Sequence, residues 1–450
     1  MVSACLKKCT FPRIFYFMKY FVTFFLLLCL FLPQFAAAQL SRQEIKIAKA
    51  IDSRSAAALE LLKISVNINS GTMNFEGVKE VGALYMEELS KLGFETKWSP
   101  GESFNRAGHL TAVHKGKGKG KKILLIGHLD TVFETDSKFQ SWSMLNDSII
   151  KGPGVSDMKG GDVIIILAMQ ALHDAGLLEE LTIEIIMTGD EELSGDPIAL
   201  SKKDLKDAAL RADIALGFED GDGIPNHALV SRRGATEWTL TVKGNAAHSS
   251  QIFTDAVGNG AIYEAARILQ AFYDSLSQEE NLTFSPGIIG GGGQVSIDPL
   301  TNSVMASGKS NIVASDVIVK GDLRAVSTEQ LEKARKIMSD IIAKNYPQTS
   351  AIIDFGDGGY PPMTLTDGNK KLLEAYSKAS VDLGFGVVTA VPPRKAGAAD
   401  ISFVAEEVEM ALDGLGIAGA DGHTINETAN LNYLTIDAKR VAVLMARLGR

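Results

Sequence analysis

The fold is decided by residues 123–131, which read Ile-Leu-Leu-Ile-Gly-His-Leu-Asp-Thr. The four apolar residues that open this stretch are typical of a strand buried on both faces of a sheet. His128 and Asp130 follow at the carboxyl end of that strand, where open α/β sheets collect their ligands. The stretch therefore predicts a buried, largely parallel sheet that carries its chemistry at one edge.

Two later segments repeat this arrangement. An apolar strand at 182–187 is followed by Thr-Gly-Asp-Glu-Glu, which ends in Glu191 and Glu192, and a strand at 213–218 is followed by Glu219. Between them, Gly-Pro-Gly-Val-Ser-Asp brings Asp157 to the start of a helix that is predicted over 162–175. Strands that alternate with helices in this way indicate an α/β domain.

The sequence changes character at Thr236, where apolar and polar residues begin to alternate. Strands near 238–242, 294–297, 316–323 and 351–355 and helices over 256–272 and 329–344 follow the order β-α-β-β-α-β. This order predicts a ferredoxin-like α+β unit. We therefore expect a discontinuous catalytic domain, 39–234 and 356–450, with an inserted domain, 235–355.

Residues 1–38 have the layout of a secretory signal peptide. Four basic residues precede an apolar run over 21–32, and three alanines at 36–38 form a small-residue cleavage site. The alternative is a transmembrane anchor, but the run is shorter than the ~20 residues that a bilayer-spanning helix needs. We expect cleavage after Ala38, export to the periplasm or the medium, and no stable membrane insertion afterwards.

The composition limits which metal ligands and which binding partners the chain can have. Cys5, Cys9 and Cys29 all fall within the leader, so the mature chain offers no thiolate to a metal. Subtracting the four basic leader residues from 45 Lys and Arg leaves 41 against 54 Asp and Glu, a net charge of −13. A chain this acidic argues against nucleic acid as a partner.

Carboxylates are expected to crowd at the sheet edge. Like charges a few ångströms apart cannot all ionise without a compensating cation. The sequence therefore predicts a divalent metal ion beside four crowded carboxylates, those of Asp157, Glu191, Glu192 and Glu219. Two histidines join them, His128 and, from Asp-Gly-His-Thr at 421–424, His423. Mixed nitrogen and oxygen donors suit zinc better than calcium or magnesium, with cobalt or manganese as possible substitutes.

The spacing of these residues suggests that they have different roles. A metal-binding imidazole is usually oriented by a carboxylate on its other nitrogen, which is the role we expect for Asp130 beside His128. Adjacent side chains on extended backbone point in different directions. Of Glu191 and Glu192, one should therefore bind metal while the other moves protons.

These motifs resemble the zinc peptidases that include bacterial glutamate carboxypeptidases, aminoacylases, acetylornithine deacetylases and succinyl-diaminopimelate desuccinylases. The likeness spans nearly the whole mature chain and is strongest to the glutamate carboxypeptidase branch, through Gly-His-Leu-Asp-Thr-Val at 127–132 and the ten residues from 152 to 161. The resemblance implies two zinc ions that share Asp157. His128 and Glu219 would complete one ligand set, Glu192 and His423 would complete the other, and Glu191 would be the general base.

The inserted domain resembles the family's lid and dimerisation domain, which implies a homodimer. By this resemblance His248, in Gly-Asn-Ala-Ala-His-Ser, would donate to the developing oxyanion in the partner subunit's site. Asn311 and Arg324 would hold the carboxylate of the substrate. The lid motif around Asn311 lacks the Pro of many relatives. Around Gly397, Ala-Gly-Ala-Ala-Asp matches the family's substrate loop, Gly-Gly-Thr-Asp, only loosely, which leaves the preferred terminal residue open.

Three functions follow from this reading. The first is a carboxypeptidase that hydrolyses the amide bond next to a C-terminal residue with a free carboxylate, and the second is a deacylase that uses the same site on N-acyl amino acids. The third is an inactive binding protein of the same fold, against which the full set of ligands and the base Glu191 speak.

Other segments receive structural interpretations. The Lys/Gly alternation at 115–122 predicts an exposed hairpin turn, and the four glycines at 290–293 predict a flexible lid loop. Glu427 and Asn430 are interpreted as surface or capping residues.

Overall fold

Two sheets organise the structure, a computed structural model in which residues 40–298, 303–356 and 358–449 are described. The predicted signal peptide, its cleavage site and all three cysteines lie outside the described residues. Within the described ranges, no helix is both long enough and apolar enough to cross a membrane. Ser41–Arg450 forms one compact unit.

The two sheets contain ten strands. In chain order they are β1 Glu95–Pro100, β2 Gly108–His114, β3 Ile123–His128, β4 Ile183–Thr188, β5 Ile214–Gly217, β6 Thr236–Gly244, β7 Thr283–Gly292, β8 Asp316–Arg324, β9 Thr349–Asp354 and β10 Met410–Leu412.

The central sheet has the order β1-β2-β4-β3-β5-β10. The pairs β4/β3, β3/β5 and β5/β10 are parallel, while β1/β2 and β2/β4 are antiparallel. The parallel part is buried on both faces, which explains the continuous apolar run at 123–126. Because β3, β4 and β5 are parallel neighbours, their carboxyl ends meet at one edge.

The connection at 115–122 is a crossover, so the predicted hairpin turn is wrong. Strand β4 lies between β2 and β3 in the sheet, and the connection passes its amino end. There the backbone N–H of Lys117 donates to Glu179 O at 2.8 Å, and that of Gly118 donates to Glu180 O at 3.2 Å. A Lys/Gly alternation specifies an exposed connection but not which strands it joins.

Helices cover the central sheet and the second sheet. They are α1 Arg42–Val66, α2 Phe75–Ser90, α3 Lys159–Asp174, α4 Ile198–Ser201, α5 Lys203–Ala209, α6 Gly260–Leu276, α7 Thr328–Ile342, α8 Asp367–Asp382 and α9 Asn432–Leu448. Helix α3 packs against both α1 and α9, so it is apolar on nearly every side and buried throughout 159–169. Gly161 lets α3 approach the end of β5, because a Cβ there would lie 2.0 Å from Phe218 O.

The second sheet, which we call the lid sheet, has the order β7-β8-β6-β9 with every pair antiparallel. Helices α6 and α7 pack on each other and on this sheet. Together these elements give the predicted ferredoxin-like β-α-β-β-α-β unit. The boundaries predicted for it, 235–355, stay a prediction.

The position of the second lid strand differs from the prediction. That strand is β7, and the expected strand near 294–297 instead forms a separate hairpin, Gln294–Asp298 with Ser303–Ser307. Gly290, Gly291 and Gly292 pair with Ile318, Val317 and Asp316, so most of the predicted flexible loop is strand. Glycines carry no side chain that could reveal a strand in a sequence pattern.

An ion pair between the two ends of the described chain gives a test of the packing. Glu44 is 5% exposed and accepts a hydrogen bond from Arg447 Nε at 2.7 Å and one from Ser41 N at 2.6 Å. Burial opposes its charged form, yet the hydrogen bonds from Arg447 and Ser41 lower the pKa of Glu44. The stabilisation is therefore present above the unfolded-state pKa and is lost as the pH falls through the lowered folded-state pKa.

We predict that Glu44→Gln lowers the free energy of unfolding at pH 7 by about 1–2 kcal/mol. Urea unfolding should show this difference narrowing below about pH 4, where the wild-type carboxyl also becomes neutral. The matched control is Glu60→Gln, at an exposed position of the same helix, which should change stability by no more than about 0.5 kcal/mol. Equal effects of the two substitutions would contradict this account.

Candidate metal centre

The carboxyl ends of three parallel strands bring the predicted residues together. His128 is the last residue of β3, Glu191 and Glu192 follow β4, and Glu219 follows β5. Two loops complete the cluster. Asp157 lies two residues before the first residue of α3, and His423 lies between two short strands, Gly419–Ala420 and Thr428–Asn430.

The first group of converging side chains contains His128, Asp157 and Glu219. Nε2 of His128 lies 3.1 Å from Asp157 Oδ1 and 3.6 Å from Glu219 Oε1. His128 is 1% exposed, so its ring is held in the interior, while the side chains of Asp157 and Glu219 are 15% and 13% exposed.

The second group contains Asp157, Glu192 and His423. Nε2 of His423 lies 2.9 Å from Asp157 Oδ2 and 3.1 Å from Glu192 Oε2. Each oxygen of Asp157 thus faces a different histidine. In each group the candidate donor atoms lie within 4.8 Å of one another, and Asp157 is common to both.

The electrostatics of the cluster reflect crowded carboxylates in a buried place. Burial raises the pKa of Glu191 and of Glu219 well above the usual range, and it raises the pKa of Glu192 to about 7. Hydrogen bonds to Asp157 and Glu192 raise the pKa of His423 to about 11. Buried carboxylates this close together favour a compensating cation.

The donor set suits divalent cations. Oε1 of Glu192 is buried and has no hydrogen-bond partner among the described residues, while Oε2 of the same carboxylate lies 3.1 Å from His423 Nε2. Buried polar atoms are almost always partnered, so an atom of this kind at a convergence of donors is a natural ligand. Nitrogen and oxygen donors in this mixture are typical of zinc and related transition metals.

Asp130 is buried and holds the turn that carries the two glutamates. Its carboxylate accepts the backbone N–H of Glu191 at 3.0 Å and that of Glu192 at 3.1 Å, and it accepts the hydroxyl of Thr72 at 2.7 Å. It also faces His128, whose Nδ1 lies 3.5 Å from Asp130 Oδ1 and 3.1 Å from Asp130 O. Asp130 is therefore beside His128 as predicted, and it additionally positions Glu191 and Glu192.

The backbone of Glu191 is held by hydrogen bonds at both its N–H and its carbonyl, so its carboxyl group is not needed to position the residue. The hydroxyl of Tyr360 donates to Glu191 O at 2.6 Å, while Glu191 N donates to Asp130. Tyr360 was not identified from the sequence, because nothing local connects it to a glutamate 169 residues away.

A buried lysine behind the glutamates was also missed. Nζ of Lys202 lies 3.0 Å from Asp190 Oδ1 and 2.9 Å from Asp400 Oδ1, and Lys202 is 1% exposed. Thr188, the last residue of β4, donates to the other oxygen of Asp400 at 2.5 Å. Lys202 thereby ties the segment that precedes Glu191 to the 396–400 loop, a through-space link with no sequence signature.

The predicted substrate residues fall in three places. Arg324 lines a cleft of about 580 Å³ together with Glu191 and Glu192, and its Nε donates to Asp322 at 2.7 Å. His248 and Asn311 lie close together in the lid, where Ser249 N donates to Asn311 O and His248 Nδ1 contacts Ser250 Oγ at 2.9 Å. The structure does not bring these two residues near the candidate metal ligands.

Gly397 lies at an open position, since a Cβ built there meets no atom within 4 Å. Its carbonyl oxygen accepts a hydrogen bond at 3.1 Å from Arg232, whose Nε donates to Asp413 at 2.7 Å. Arg232 is buried, and no local sequence pattern distinguishes it.

Glu427 corrects the interpretation of a surface or capping residue, because it is 0% exposed. Its carboxylate accepts hydrogen bonds from the loop that carries Asp157. Asn430, by contrast, accepts the backbone N–H of Asn432 at 3.1 Å, which agrees with a local capping role.

Comparison with known proteins agrees with this geometry. Residues 124–447 match peptidase family M20/M25/M40. Carboxypeptidase G2 from Pseudomonas sp. strain RS-16 is 25% identical over 388 residues, which cover 85% of this chain and 86% of that protein.

Solved structures share the fold. A tripeptidase from Staphylococcus aureus superposes with a TM-score of 0.69 at 19% identity and covers 88% of this chain and 99% of its own. A dinuclear metal-binding peptidase from Bacillus subtilis superposes with a TM-score of 0.60 at 17% identity, again over 88% and 99% of the two chains.

Lys202 provides a test of how the buried carboxylates behind the site are stabilised. We predict that Lys202→Met lowers the free energy of unfolding by about 3–5 kcal/mol, because Asp190 and Asp400 would stay buried without a cation. The control is the neighbouring Lys203→Met, which removes an ammonium that is 61% exposed and pairs with Asp207. Urea unfolding should show a much smaller loss for the control, because an exposed ion pair contributes little to stability. A loss that small for Lys202→Met would contradict the role given to this lysine.

Proposed function

The chain belongs to peptidase family M20/M25/M40 and is a metal-dependent peptide hydrolase, and on this premise we propose that it is a di-zinc carboxypeptidase. The reaction is hydrolysis of the amide bond next to a C-terminal residue with a free carboxylate. The observation that carries the proposal is the pair of ligand groups that share Asp157, with Glu191 at their edge.

The proposed ligands follow the two groups. His128, Asp157 and Glu219 hold one ion, and Asp157, Glu192 and His423 hold the other. When bound, zinc would polarise the scissile carbonyl and lower the pKa of the attacking water. Cobalt or manganese could take the same donors.

Glu191 is the proposed general base. Its carboxyl is buried, which raises its pKa, and its backbone is anchored at both N–H and carbonyl. In the reaction Glu191 takes a proton from the attacking water as the new C–O bond forms, and it delivers that proton to the leaving amine as the C–N bond breaks. A base whose backbone is held at both its N–H and its carbonyl loses little conformational entropy in the reaction.

Arg324 supports a substrate with a terminal carboxylate. It shares one cleft with Glu191, and its Nε is engaged by Asp322. The guanidinium nitrogens that remain can bind a carboxylate bidentately. The likeness to carboxypeptidase G2 favours the same polarity of cleavage.

The proposal includes a homodimer formed through the lid. Helix α6 exposes Ile262, Tyr263 and Tyr273 at 51%, 54% and 59%, which is unusual for large apolar side chains that face water only. In such a dimer His248 would donate to the oxyanion in the partner subunit's site. Light scattering of the purified chain tests the assembly, with a monomer as the contrary result.

Export is a further part of the proposal and rests on the leader at 1–38. Amino-terminal sequencing of the secreted protein should start at Gln39. A mature protein that retains the leader would instead favour the membrane anchor.

We predict that Glu191→Gln lowers kcat by about 10²–10⁴-fold while two metal ions per chain are retained. The assay uses peptides with glutamate, aspartate or neutral C-terminal residues, together with N-acyl amino acids. The control is Glu179→Gln, which changes an exposed glutamate paired with Lys117 and should leave kcat unchanged. An active Glu191→Gln enzyme would exclude the proposed base, and preference for N-acyl amino acids would make the chain a deacylase.

For Arg324→Lys we predict that KM for peptides with a free C-terminal carboxylate rises about tenfold, with little change in kcat, because the two-pronged hydrogen bond is lost while the charge stays. The control is Arg335→Lys on α7, where Arg335 pairs with Glu332. If KM is unchanged for Arg324→Lys, another residue holds the carboxylate.

A further inference from the structure

Glu427 links the two loops that supply metal ligands to the cluster. Its Oε2 accepts the backbone N–H of Gly154 at 2.9 Å. Its Oε1 accepts the backbone N–H of Ser156 at 2.8 Å, the hydroxyl of Ser156 at 3.1 Å and the backbone N–H of Asp157 at 3.1 Å. One carboxylate therefore fixes the backbone on which Asp157 stands.

The same residue belongs to the loop that carries His423. Glu427 N donates to Thr424 O at 3.1 Å, and its own carbonyl accepts the N–H of Gly152 at 3.4 Å. His423, four residues earlier, has a φ of +62°, a left-handed conformation that non-glycine residues adopt only when their surroundings hold them there. The position of His423 therefore depends on the loop that Glu427 ties to the Asp157 segment.

Asp157 is common to both groups, but the other two ligands of the first group have supports that do not involve Glu427. His128 ends the buried strand β3, and Glu219 follows β5, so both stand on the central sheet. Neither is connected to Glu427 by any hydrogen bond described for this structure. Of the two ligand groups, only the one with Glu192 and His423 takes two of its three members from loops that Glu427 holds together.

We propose that Glu427 is a positioning residue that sets the affinity of the metal ion held by Asp157, Glu192 and His423, and that it does so selectively. This inference rests on the proposed function, because it requires two ions per chain. Glu427 acts through the backbone of its neighbours and touches neither metal nor substrate. Outer partners of this kind typically change metal affinity by about 10–100-fold.

The test is a metal titration of the full chain after removal of metals, with Co²⁺ followed by visible absorption and Zn²⁺ by competition with a chromophoric chelator. Glu427→Gln keeps the shape of the side chain but places an amide NH₂ against one of the N–H donors. We expect the ion held by Asp157, Glu192 and His423 to lose about 10–100-fold in affinity while the other ion changes by less than about threefold. Ser156→Ala, which removes only the hydroxyl donor, should shift the same ion in the same direction by a smaller factor.

Glu264→Gln is the matched control. Glu264 is also 0% exposed and accepts hydrogen bonds from Arg267 and from Tyr346 N, but it lies on α6 in the lid. This control should lose thermal stability and still bind both ions as the wild type does.

Three results would overturn the inference while the two-metal centre stands. They are wild-type affinities in Glu427→Gln, equal weakening of both ions, and weakening of the same size in Glu264→Gln. A wild-type chain that binds fewer than two ions would instead overturn the dinuclear centre of the proposed function. Should Glu427→Gln fail to fold, Ser156→Ala decides, and unchanged affinities in that variant count against the inference.

Discussion

Buried negative charge that must be compensated is the constraint on which the rest of the structure depends. The central sheet gathers carboxylates at one edge, and several of them have a specific partner. Behind the edge the partners are fixed cations, Lys202 for Asp190 and Asp400 and Arg232 for Asp413. Beside it the partners are backbone N–H groups, which satisfy Asp130 and Glu427. Asp157 and Glu219 contact His128, and Asp157 and Glu192 contact His423, so histidines are the charged partners described for these carboxylates, which leaves them available for metal.

This division explains why the two glutamates that follow β4 can differ in role although they are neighbours. Their backbone N–H groups converge on one carboxylate, that of Asp130, so the turn is rigid. From this turn Glu192 reaches His423, and Glu191 remains at the edge of the cleft that it shares with Arg324. Rigid backbone and divergent side chains are what the roles proposed for these two adjacent residues, metal binding and proton transfer, require.

The sequence was informative where the chemistry is local. An apolar run followed by His128 and Asp130 identifies a buried strand and its functional end, and the same logic located Glu192 and Glu219. His423 followed from a short motif and from the family resemblance. The sequence was not informative where partners meet only in space. No sequence pattern connects the cluster with Lys202, Arg232 or Tyr360. The local sequence around Glu427 indicates a surface or capping residue, because its burial depends on a loop more than 270 residues away. The crossover at 115–122 and the glycine-rich end of β7 show the same limit for topology, since neither pairing partner is encoded nearby.

The hydrogen bond between Glu44 and Arg447 joins residues 403 positions apart, and α9 packs on both α1 and α3. A ribosome makes α1 and α3 long before α9, so a nascent chain must hold their apolar faces uncovered until synthesis is nearly finished. His423 is made in the same late portion. Closure of the core and completion of the set of candidate ligands are therefore coupled in time, and a half-made chain has neither.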